Sequence, residues 1–501
     1  MSNSTAKNSI ALMVGRGASL LLSVITPMIL VRIFSVGEYG EYRQVMLIVT
    51  TAAMFLPLGC PISLYYFLPH FPEAKGKYLS RTIAVMMLTG GLFCLFMWLR
   101  AEDVSRFFNN ANYLETGLLI GVLAFMLAAS SLIDTVLLAD GRVILSIKVM
   151  IIAKIIQVPV LIASALFGGY VLLLKGFLFV LLGKFFLSLW FFRVSYRISL
   201  FDLVENNWRP HLKYAIPIGF GGMWTMLAET LDKFLVSHYL GEEMFAIYST
   251  GCYELPVIVV IFSSIGDVVL PLIVQRKSMN MTSEVVRLWH RAIEQSMLIG
   301  IPIVIFFSAY ANEFITTVFT MKYVDAVPIF RVSIIAILLE STRYGLITRA
   351  YARTGFMFFV SLIALLLMVP ATYFGIKYFG LMGAISAFVL TRCFLVGAEI
   401  AYSKFILSLL WRNLLPFRYI IKVTILSFSC LLLPLFSKKI FVLSNEWSQL
   451  FYLLFFTFLS FVYLTNYFGY WTLDTLPIPE KFKKFFLAIF PGKRNYSWIS
   501  A

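Results

Sequence analysis

The sequence predicts an all-α, polytopic membrane protein with about fourteen transmembrane helices; composition, apolar spacing and charge distribution each support this class. Of the 501 residues, 60% are hydrophobic and 13% are charged, and the mean hydropathy is +0.88. A soluble domain carries about 45 to 50% apolar and about 25% charged residues. Most of the surface of this chain is therefore expected to face lipid.

Apolar segments recur from Ile10 to Tyr470. Each holds about 20 mostly apolar residues, the length that a helix needs to cross the hydrocarbon core. The stretches 143–192 and 356–403 are each nearly continuous; each is assigned two helices, which leaves the count open by one. The predicted segments, numbered 1 to 14 in chain order, are residues 10–31, 44–67, 82–99, 117–138, 143–166, 169–192, 214–236, 245–273, 293–311, 328–348, 356–378, 380–403, 419–437 and 449–470.

The basic residues indicate the orientation of the chain. If the N-terminus is cytoplasmic, roughly three times as many Lys and Arg residues fall in the cytoplasmic connections as in the outer ones, as the positive-inside rule requires. We therefore expect a multi-pass membrane protein with both termini, 193–213 and 275–292 in the cytoplasm. The basic residues behind the net charge of +16 are assigned to the cytoplasmic face of the membrane, so nucleic acid is not an expected partner.

The sequence lacks the common motifs of catalysis and metal binding. The five cysteines lie in apolar segments without CxxC spacing and the four histidines are isolated, so we expect no metal site and no cofactor. Neither GxxxxGKS nor GxxxxGKT occurs, which excludes a P-loop nucleotide site. The connections are too short for a catalytic domain, and we expect the protein not to be an enzyme.

The two halves of the chain align weakly with each other, for example Phe34 with Leu240 and Tyr42 with Tyr248. Six helices per repeat is an even number, which predicts parallel repeats around an axis along the membrane normal. We therefore expect two pseudo-symmetric six-helix lobes around a central cavity. The expected domains are 1–200, the N-terminal lobe; 201–412, the C-terminal lobe; 413–470, two further helices; and 471–501, a basic amphipathic tail in the cytoplasmic interface.

Prolines cluster in predicted segments 1, 2, 7 and 8, which correspond under this repeat. A proline inside a helix removes one backbone hydrogen bond and kinks the helix. In lipid such a kink is tolerated beside protein or a cavity, so these helices are expected to line the space between the lobes. The alternative is that proline is simply common in membrane helices. The cavity-helix prolines are Pro27, Pro57, Pro61, Pro217, Pro256 and Pro271.

Three sequence elements carry a resemblance to a known family. In the first, RIFSVGEYGEY at 32–42, Ser35 and Glu38 have the spacing of a capping box that starts the next helix. The other two are Asp232-Lys233 followed by Leu240-Gly241 and Ile247-Tyr248, and Leu270-Pro271. Over predicted segments 1 to 12 the chain resembles the polysaccharide transporters that include Wzx-type O-antigen flippases, in the multidrug/oligosaccharidyl-lipid/polysaccharide (MOP) superfamily.

Ionisable side chains inside the apolar segments are the candidate site residues, because a charge near the bilayer centre costs about 2.5 to 3.5 kcal/mol on insertion scales. Acidic members suit a coupling cation, and basic members suit phosphate; the resemblance implies that basic residues on cavity helices meet the diphosphate of the substrate. The ion-coupling candidates are Asp232, Glu229, Glu254 and Glu340, and the substrate-binding candidates are Arg16, Lys233 and Arg343.

Structural alternatives stay open for these charges. Arg16 could extend to the cytoplasm, and Glu340 with Arg343 fits a structural salt bridge. Glu229, Asp232 and Lys233 fit an ion pair in the outer leaflet. Asp134 and Lys148 are expected to pair across the Asp140-Gly141 turn. Packing and lining roles are both open for three further deep cations, Lys154, Lys184 and Arg392.

The resemblance implies an ion-coupled flippase of the bacterial inner (plasma) membrane that works by alternating access. Its expected substrate is an undecaprenyl-diphosphate-linked oligosaccharide repeat unit, moved from the cytoplasmic to the outer leaflet for O-antigen (lipopolysaccharide), capsule or exopolysaccharide synthesis. Expected partners are this lipid-linked oligosaccharide, membrane lipid, sodium or protons, and the polysaccharide polymerase with its chain-length machinery. The alternatives are a lipid II flippase or a multidrug/cation antiporter of the same superfamily and, from another class, a membrane polysaccharide polymerase or ligase.

Overall fold

The computed structural model describes residues 22–198, 208–438 and 446–467 and the single positions 15, 17 and 19. Within these residues the regular structure is helical and contains no strand, which confirms the all-α class. The helices are α1 Leu22–Ile33, α2 Val36–Phe55, α3 Cys60–His70, α4 Lys75–Leu99, α5 Ala101–Phe108, α6 Tyr113–Ala139, α7 Val143–Tyr196, α8 Arg209–Gly251, α9 Pro256–Ser278, α10 Thr282–Ala309, α11 Ala311–Phe319, α12 Ala326–Ser333, α13 Ile335–Ser341, α14 Leu346–Ala350, α15 Thr354–Leu407, α16 Phe417–Lys438 and α17 Glu446–Tyr467.

Seven helical stretches among the described residues are long and apolar enough to cross a membrane. Two of them, α7 and α15, are broken inside. The chain leaves helical geometry at Gly168 and Gly169 in α7 and at Gly380 in α15, where Gly169 and Gly380 take the positive φ that glycine tolerates. These breaks confirm the predicted boundaries between segments 5 and 6 and between 11 and 12, whereas the total of fourteen spans stays a prediction.

The chain divides into two compact units. The first comprises residues 1–260 and 354–398, and the second comprises 261–353 and 399–501. These units are defined by packing, whereas the expected lobes were defined by the internal repeat, so the lobes stay a prediction. The tail at 471–501 lies outside the described residues.

The predicted capping box is present at the start of α2. The backbone N–H of Glu38 donates to Ser35 Oγ at 3.2 Å, and the backbone N–H of Ser35 donates to Glu38 Oε2 at 2.9 Å. Five residues after Ser35, a Cβ at Gly40 would overlap the carbonyl of Glu242. The absence of a side chain at Gly40 therefore lets α2 pack directly against α8.

One end of the first unit is held together around the carboxylate of Asp140. Lys75 Nζ lies 2.5 Å from Oδ1, while Arg142 Nε and the Tyr196 hydroxyl each lie 2.9 Å from Oδ2. Burial acts to raise the pKa of Asp140, but the hydrogen bonds from Lys75 and Tyr196 and the charge of Arg142 outweigh it and lower the pKa below its ordinary value. Three connections expected on the cytoplasmic side thus meet at one end.

The opposite end of the same unit gathers connections expected on the outer side. His238 Nδ1 lies 2.6 Å from the carbonyl oxygen of Phe107, and Asn109 Nδ2 donates to the carbonyl of His238 at 3.2 Å. Asn112 Nδ2 donates to Glu41 Oε2 at 3.2 Å. The predicted alternation of connections is therefore consistent with the packing within this unit.

The second unit has its own core around Trp289, which is fully buried. At one end Lys277 Nζ donates to the carbonyl of Ala350 at 3.2 Å, and His290 Nε2 lies 3.2 Å from the carbonyl oxygen of Leu414. The basic connections 275–292 and 404–418 are therefore anchored within this unit at residues that the sequence assigns to one side.

Predicted segments 2 and 8 are each interrupted, so the prediction of continuous helices at 44–67 and 245–273 is wrong. In segment 2, α2 ends at Phe55 and α3 begins at Cys60; Leu58 and Gly59 between them have φ of 49° and 77°. In segment 8, α8 ends at Gly251 and α9 begins at Pro256.

The prolines consequently divide into two groups. Pro27, Pro217 and Pro271 lie inside helices as expected. Pro57 lies in the break between α2 and α3, while Pro61 and Pro256 lie in the first turns of α3 and α9. The predicted kink is wrong for these last two, because a proline in the first turn lacks an N–H that would have no helical partner anyway.

Candidate functional site

Helix α8 carries a buried carboxylate, Asp232, which is 1% exposed. Gly241 breaks α8 with a φ of 79°, and the chain then brings the hydroxyl of Tyr248 within 2.7 Å of Asp232 Oδ2, to which it donates. The other oxygen, Oδ1, is buried and has no partner among the described residues. One half of this carboxylate is therefore available to a proton or a cation.

Glu229, one turn before Asp232 on α8, pairs with a distant cation. Arg392 Nη2 on the second half of α15 lies 3.1 Å from Glu229 Oε1, and its guanidinium lies 5.5 Å from the ring centroid of Phe388. The pair joins α8 to α15 within the first compact unit. It also places one positive charge next to a carboxylate that sequence analysis had assigned to a coupling ion.

Lys233 completes the group of charges on α8. The charges of Lys233 and Arg392 both act on the carboxylate of Asp232. We refer to Glu229, Asp232, Lys233, Tyr248 and Arg392 as the α8 cluster. It contains two carboxylates and two cations in apolar surroundings, so the formal charges of its members cancel.

Glu254 does not lie deep in a helix, and that prediction is wrong. It is exposed and occupies the non-helical segment 252–255 that precedes α9, where the N-terminal end of a helix favours a negative charge.

Arg43 on α2 acts electrostatically on Tyr253, the residue before Glu254. Sequence analysis placed Arg43 in an outer connection, although the capping box at Ser35 already implied that Arg43 lies about two turns into a helix.

Arg343 lies at a break rather than in the middle of a continuous helix. Helix α13 ends at Ser341 and α14 begins at Leu346, and Arg343 and Gly345 between them have φ of 52° and 75°. The prediction of one continuous segment at 328–348 is therefore wrong.

The guanidinium of Arg343 lies against α9 within the second unit. Its Cζ is 5.9 Å from the ring centroid of Phe262, and its Nη2 lies 2.7 Å from the position that a Cβ would take at Gly266. The charges of Glu340 and Asp267 act on it. Glu340 and Arg343 are thus close in space, as the sequence suggested.

Two further intramembrane contacts involve residues that sequence analysis misassigned or missed. Lys184 Nζ lies 2.7 Å from Asp134 Oδ2, so the carboxylate expected to pair with Lys148 has Lys184 as a partner. Glu399 on α15 is 2% exposed and accepts a hydrogen bond from the hydroxyl of Thr348. Its position in an otherwise apolar segment is the sequence signal that could have identified it.

Arg16 lies outside the described residues. In the described part of the chain no group of three or more His, Cys, Asp or Glu side chains could hold a metal ion.

These helices and intramembrane charges define a multi-pass membrane protein with the fold of MOP-superfamily transporters. The structure is similar to lipid II flippase MurJ in an inward closed conformation, with a TM-score of 0.69 and 14% identity over 92% of this chain and 98% of that chain. It is also similar to an outward-facing multidrug resistance MATE family transporter, with a TM-score of 0.57 and 14% identity over 80% and 94%. A third similar structure is a MOP superfamily transporter from Pyrococcus furiosus, with a TM-score of 0.59 and 14% identity over 80% of this chain and 94% of that chain.

The particular family follows from the sequence itself. The polysaccharide biosynthesis protein family matches residues 29–328, and the chain belongs to this family. No curated protein matches the chain. The resemblance inferred from the motifs at 32–42 and 232–248 is therefore confirmed at the level of the family, and the similarity to the solved structures confirms the fold.

Proposed function

We propose that the protein is a flippase that moves undecaprenyl-diphosphate-linked oligosaccharide repeat units from the cytoplasmic to the outer leaflet of the bacterial inner membrane. The product would serve O-antigen, capsule or exopolysaccharide synthesis. The family supports a role in polysaccharide biosynthesis, and the fold is that of transporters. We also propose that the protein has no enzymatic activity and hands its substrate to the polymerase and chain-length machinery.

The observation that carries the proposal is the α8 cluster. A 1%-exposed carboxylate with one oxygen lacking a partner among the described residues is costly in apolar surroundings unless it serves to bind something. Asp232, with Glu229 one turn before it on α8, would bind sodium or a proton differently in the two states of an alternating-access cycle. Glu254 and Glu340 are proposed as separate acidic candidates for the coupling ion. Lys233 would contact the diphosphate through charge-assisted hydrogen bonds. Arg16 and Arg343 are proposed as separate substrate-binding candidates.

A second candidate, a lipid II flippase, is favoured by one observation. The similarity to lipid II flippase MurJ extends over 92% of this chain, whereas the similarity to the MATE transporters extends over 80 or 81%. A multidrug antiporter is correspondingly less favoured. Both flippase candidates predict a substrate with a polyprenyl tail and a diphosphate.

The proposal is tested by following which leaflet holds the lipid-linked glycan. In vesicles containing the purified protein, labelled undecaprenyl-diphosphate repeat units should become accessible to an impermeant glycan-modifying reagent at a rate well above that of protein-free vesicles. Lipid II added to parallel vesicles distinguishes the two flippase candidates. Unchanged leaflet distribution together with altered glycan length would reject the flippase and favour a polymerase or ligase.

The proposed orientation has a separate test. Single cysteines are introduced at Arg209 and, as a matched control, at Met321 in a variant without the five native cysteines; both positions are exposed. In intact cells with a permeabilised outer membrane, an impermeant thiol reagent should label Met321→Cys and leave Arg209→Cys unmodified. Labelling of Arg209→Cys alone would show that the proposed orientation is inverted, with the termini on the outer side.

A further inference from the structure

Three aromatic rings form a continuous stack where α3 meets the beginning of α8. Tyr66 lies between His70 and Tyr214, with centroid separations of 4.3 Å and 5.0 Å and interplanar angles of 25° and 24°. Both tyrosines are 40% exposed. The rings therefore present a surface at an end of the first unit that the basic residues assign to the cytoplasm.

A buried layer supports this stack. Phe67 stacks on Tyr78 at 4.4 Å, and the ring of His211 meets both edge-on at 5.2 Å and 5.5 Å. His211 Nε2 lies 2.8 Å from Ser63 Oγ, which fixes the orientation of the imidazole. Phe67 also contacts Tyr214 edge-on at 5.6 Å. The exposed rings thus rest on a base that holds them in position before any ligand arrives.

The surroundings of the stack are strongly basic. Arg209 and Lys213 are exposed in the first turns of α8, the helix that carries Tyr214. Arg81, with its Cζ 5.8 Å from the ring centroid of Tyr78, is buried at 5% exposure and adds positive charge beneath the surface. Lys77 is on the first turn of α4, and Glu73 is the nearby acidic residue in sequence. An aromatic surface beside cations suits a ligand that combines a carbon–hydrogen face with adjacent negative charge.

A sugar ring attached to a diphosphate has this combination. The face of an aromatic ring carries partial negative charge, so it attracts the electropositive C–H groups on the apolar face of a hexose. The neighbouring cations would pair with the phosphate oxygens. An acyl chain alone offers no group for these cations.

We propose that the Tyr66–His70–Tyr214 stack is a docking platform for the first sugar ring of the glycosyl diphosphate headgroup on the cytoplasmic side. The platform rests on the proposed function and deepens it, because it adds recognition of the sugar to recognition of the diphosphate. It also gives the substrate an orientation in which the headgroup precedes the lipid tail.

The test compares two probes that differ by one sugar. Full-length protein in detergent is titrated with a short-chain polyprenyl diphosphate bearing one N-acetylhexosamine and with the same polyprenyl diphosphate without sugar. The wild type should bind the sugar-bearing probe about tenfold more tightly, as expected for about 1.4 kcal/mol of additional interaction. Tyr66→Leu and Tyr214→Leu should abolish this preference while leaving affinity for the sugar-free probe unchanged.

Two control variants make the result specific. Tyr66→Phe retains the ring and should retain the sugar preference. Tyr378→Leu removes a tyrosine that is 67% exposed elsewhere in the first unit and should also retain it. If Tyr66→Leu is poorly folded, Tyr214→Leu provides the decisive measurement, because the ring of Tyr214 lies at one end of the stack and not in its middle.

The outcomes separate the platform from the flippase. The platform would be overturned if the wild type bound both probes with equal affinity, or if Tyr214→Leu lowered the affinity for both probes equally. The aromatic stack would then be interpreted as an anchor at the membrane interface. Retained sugar preference without translocation in vesicles would overturn the flippase and leave the platform standing.

Discussion

Replacing Gly59 by alanine should destabilise the first unit by separating α3 from α8. Gly59 lies in the break before α3 with a φ of 77°. A Cβ there would lie 2.6 Å from the backbone nitrogen and 2.7 Å from the Cα of Gly219, and would overlap the carbonyl oxygen of Ala215. The neighbouring atoms are backbone and cannot rotate away, so the helices themselves would have to move.

The expected destabilisation by Gly59→Ala has two parts, the backbone strain of a positive φ and the overlap of the new Cβ with neighbouring atoms. A non-glycine residue at positive φ costs about 1 to 2 kcal/mol, and overpacking of a tight contact costs about 1 to 3 kcal/mol. Gly59→Ala should therefore lower the free energy of unfolding by about 2 to 5 kcal/mol. Gly141 has a φ of 75° with no atom within 4 Å of its Cβ position, so Gly141→Ala should show the strain alone, about 1 to 2 kcal/mol.

The assay is equilibrium unfolding in mixed micelles with increasing sodium dodecyl sulfate, followed by far-ultraviolet circular dichroism. Gly183, a helical glycine with open space around its Cβ position, provides a third variant. Gly183→Ala should raise the free energy of unfolding by about 0.5 to 1 kcal/mol, because alanine has the higher helix propensity. Equal losses in Gly59→Ala and Gly141→Ala would refute the close approach of α3 and α8 at this point.

Further predictions concern the charged groups. Asp232→Asn should abolish the dependence of transport on a sodium or proton gradient in vesicles while exchange of substrate continues, whereas Tyr248→Phe should retain that dependence; persistent dependence in Asp232→Asn would contradict the assignment. Arg392→Ala should lower the free energy of unfolding by about 1 to 3 kcal/mol because it leaves Glu229 without this partner, and adding Glu229→Gln should restore most of the loss. Burial, with the Arg81 charge second, lowers the pKa of His211 to about 4, so stability should fall as pH drops from about 6.5 to 4, by about 3 kcal/mol in total; thermal unfolding of His211→Phe should show a flatter pH profile.

Hydropathy located most helix ends and the breaks inside α7 and α15, but not the break between α2 and α3. The turn at Gly380 was predicted because an apolar stretch of that length must contain two spans. The break at Leu56–Gly59 was missed because the residues around it, Leu56, Pro57 and Leu58, remain apolar. A loss of backbone hydrogen bonds without a loss of hydropathy cannot be detected from an apolar window. Pro57 followed by Gly59 was the available signal.

The partners of the candidate charges depend on tertiary structure. Glu229 and Arg392 are separated by 163 positions, and no local periodicity relates them. The bond between Asp232 and Tyr248 was within reach of sequence analysis, because the glycine at Gly241 permits the chain to reverse between them. Helix assignment therefore placed Glu229, Asp232 and Arg392 inside apolar segments, whereas packing decided how they are paired.

The charge balance of the α8 cluster limits how a coupling ion can bind. Glu229 is balanced by Arg392 and Asp232 by Lys233, so a cation binding alone at Asp232 would leave a net positive charge in apolar surroundings, where an isolated charge costs about 2.5 to 3.5 kcal/mol. A phosphate binding alone at Lys233 would leave a net negative charge for the same reason. The two should therefore bind more tightly together than separately, and by linkage each should raise the affinity for the other by the same factor. Titration of the polyprenyl diphosphate probe at increasing sodium or proton concentration measures that factor, and an affinity independent of both ions would exclude this cluster as the coupling site.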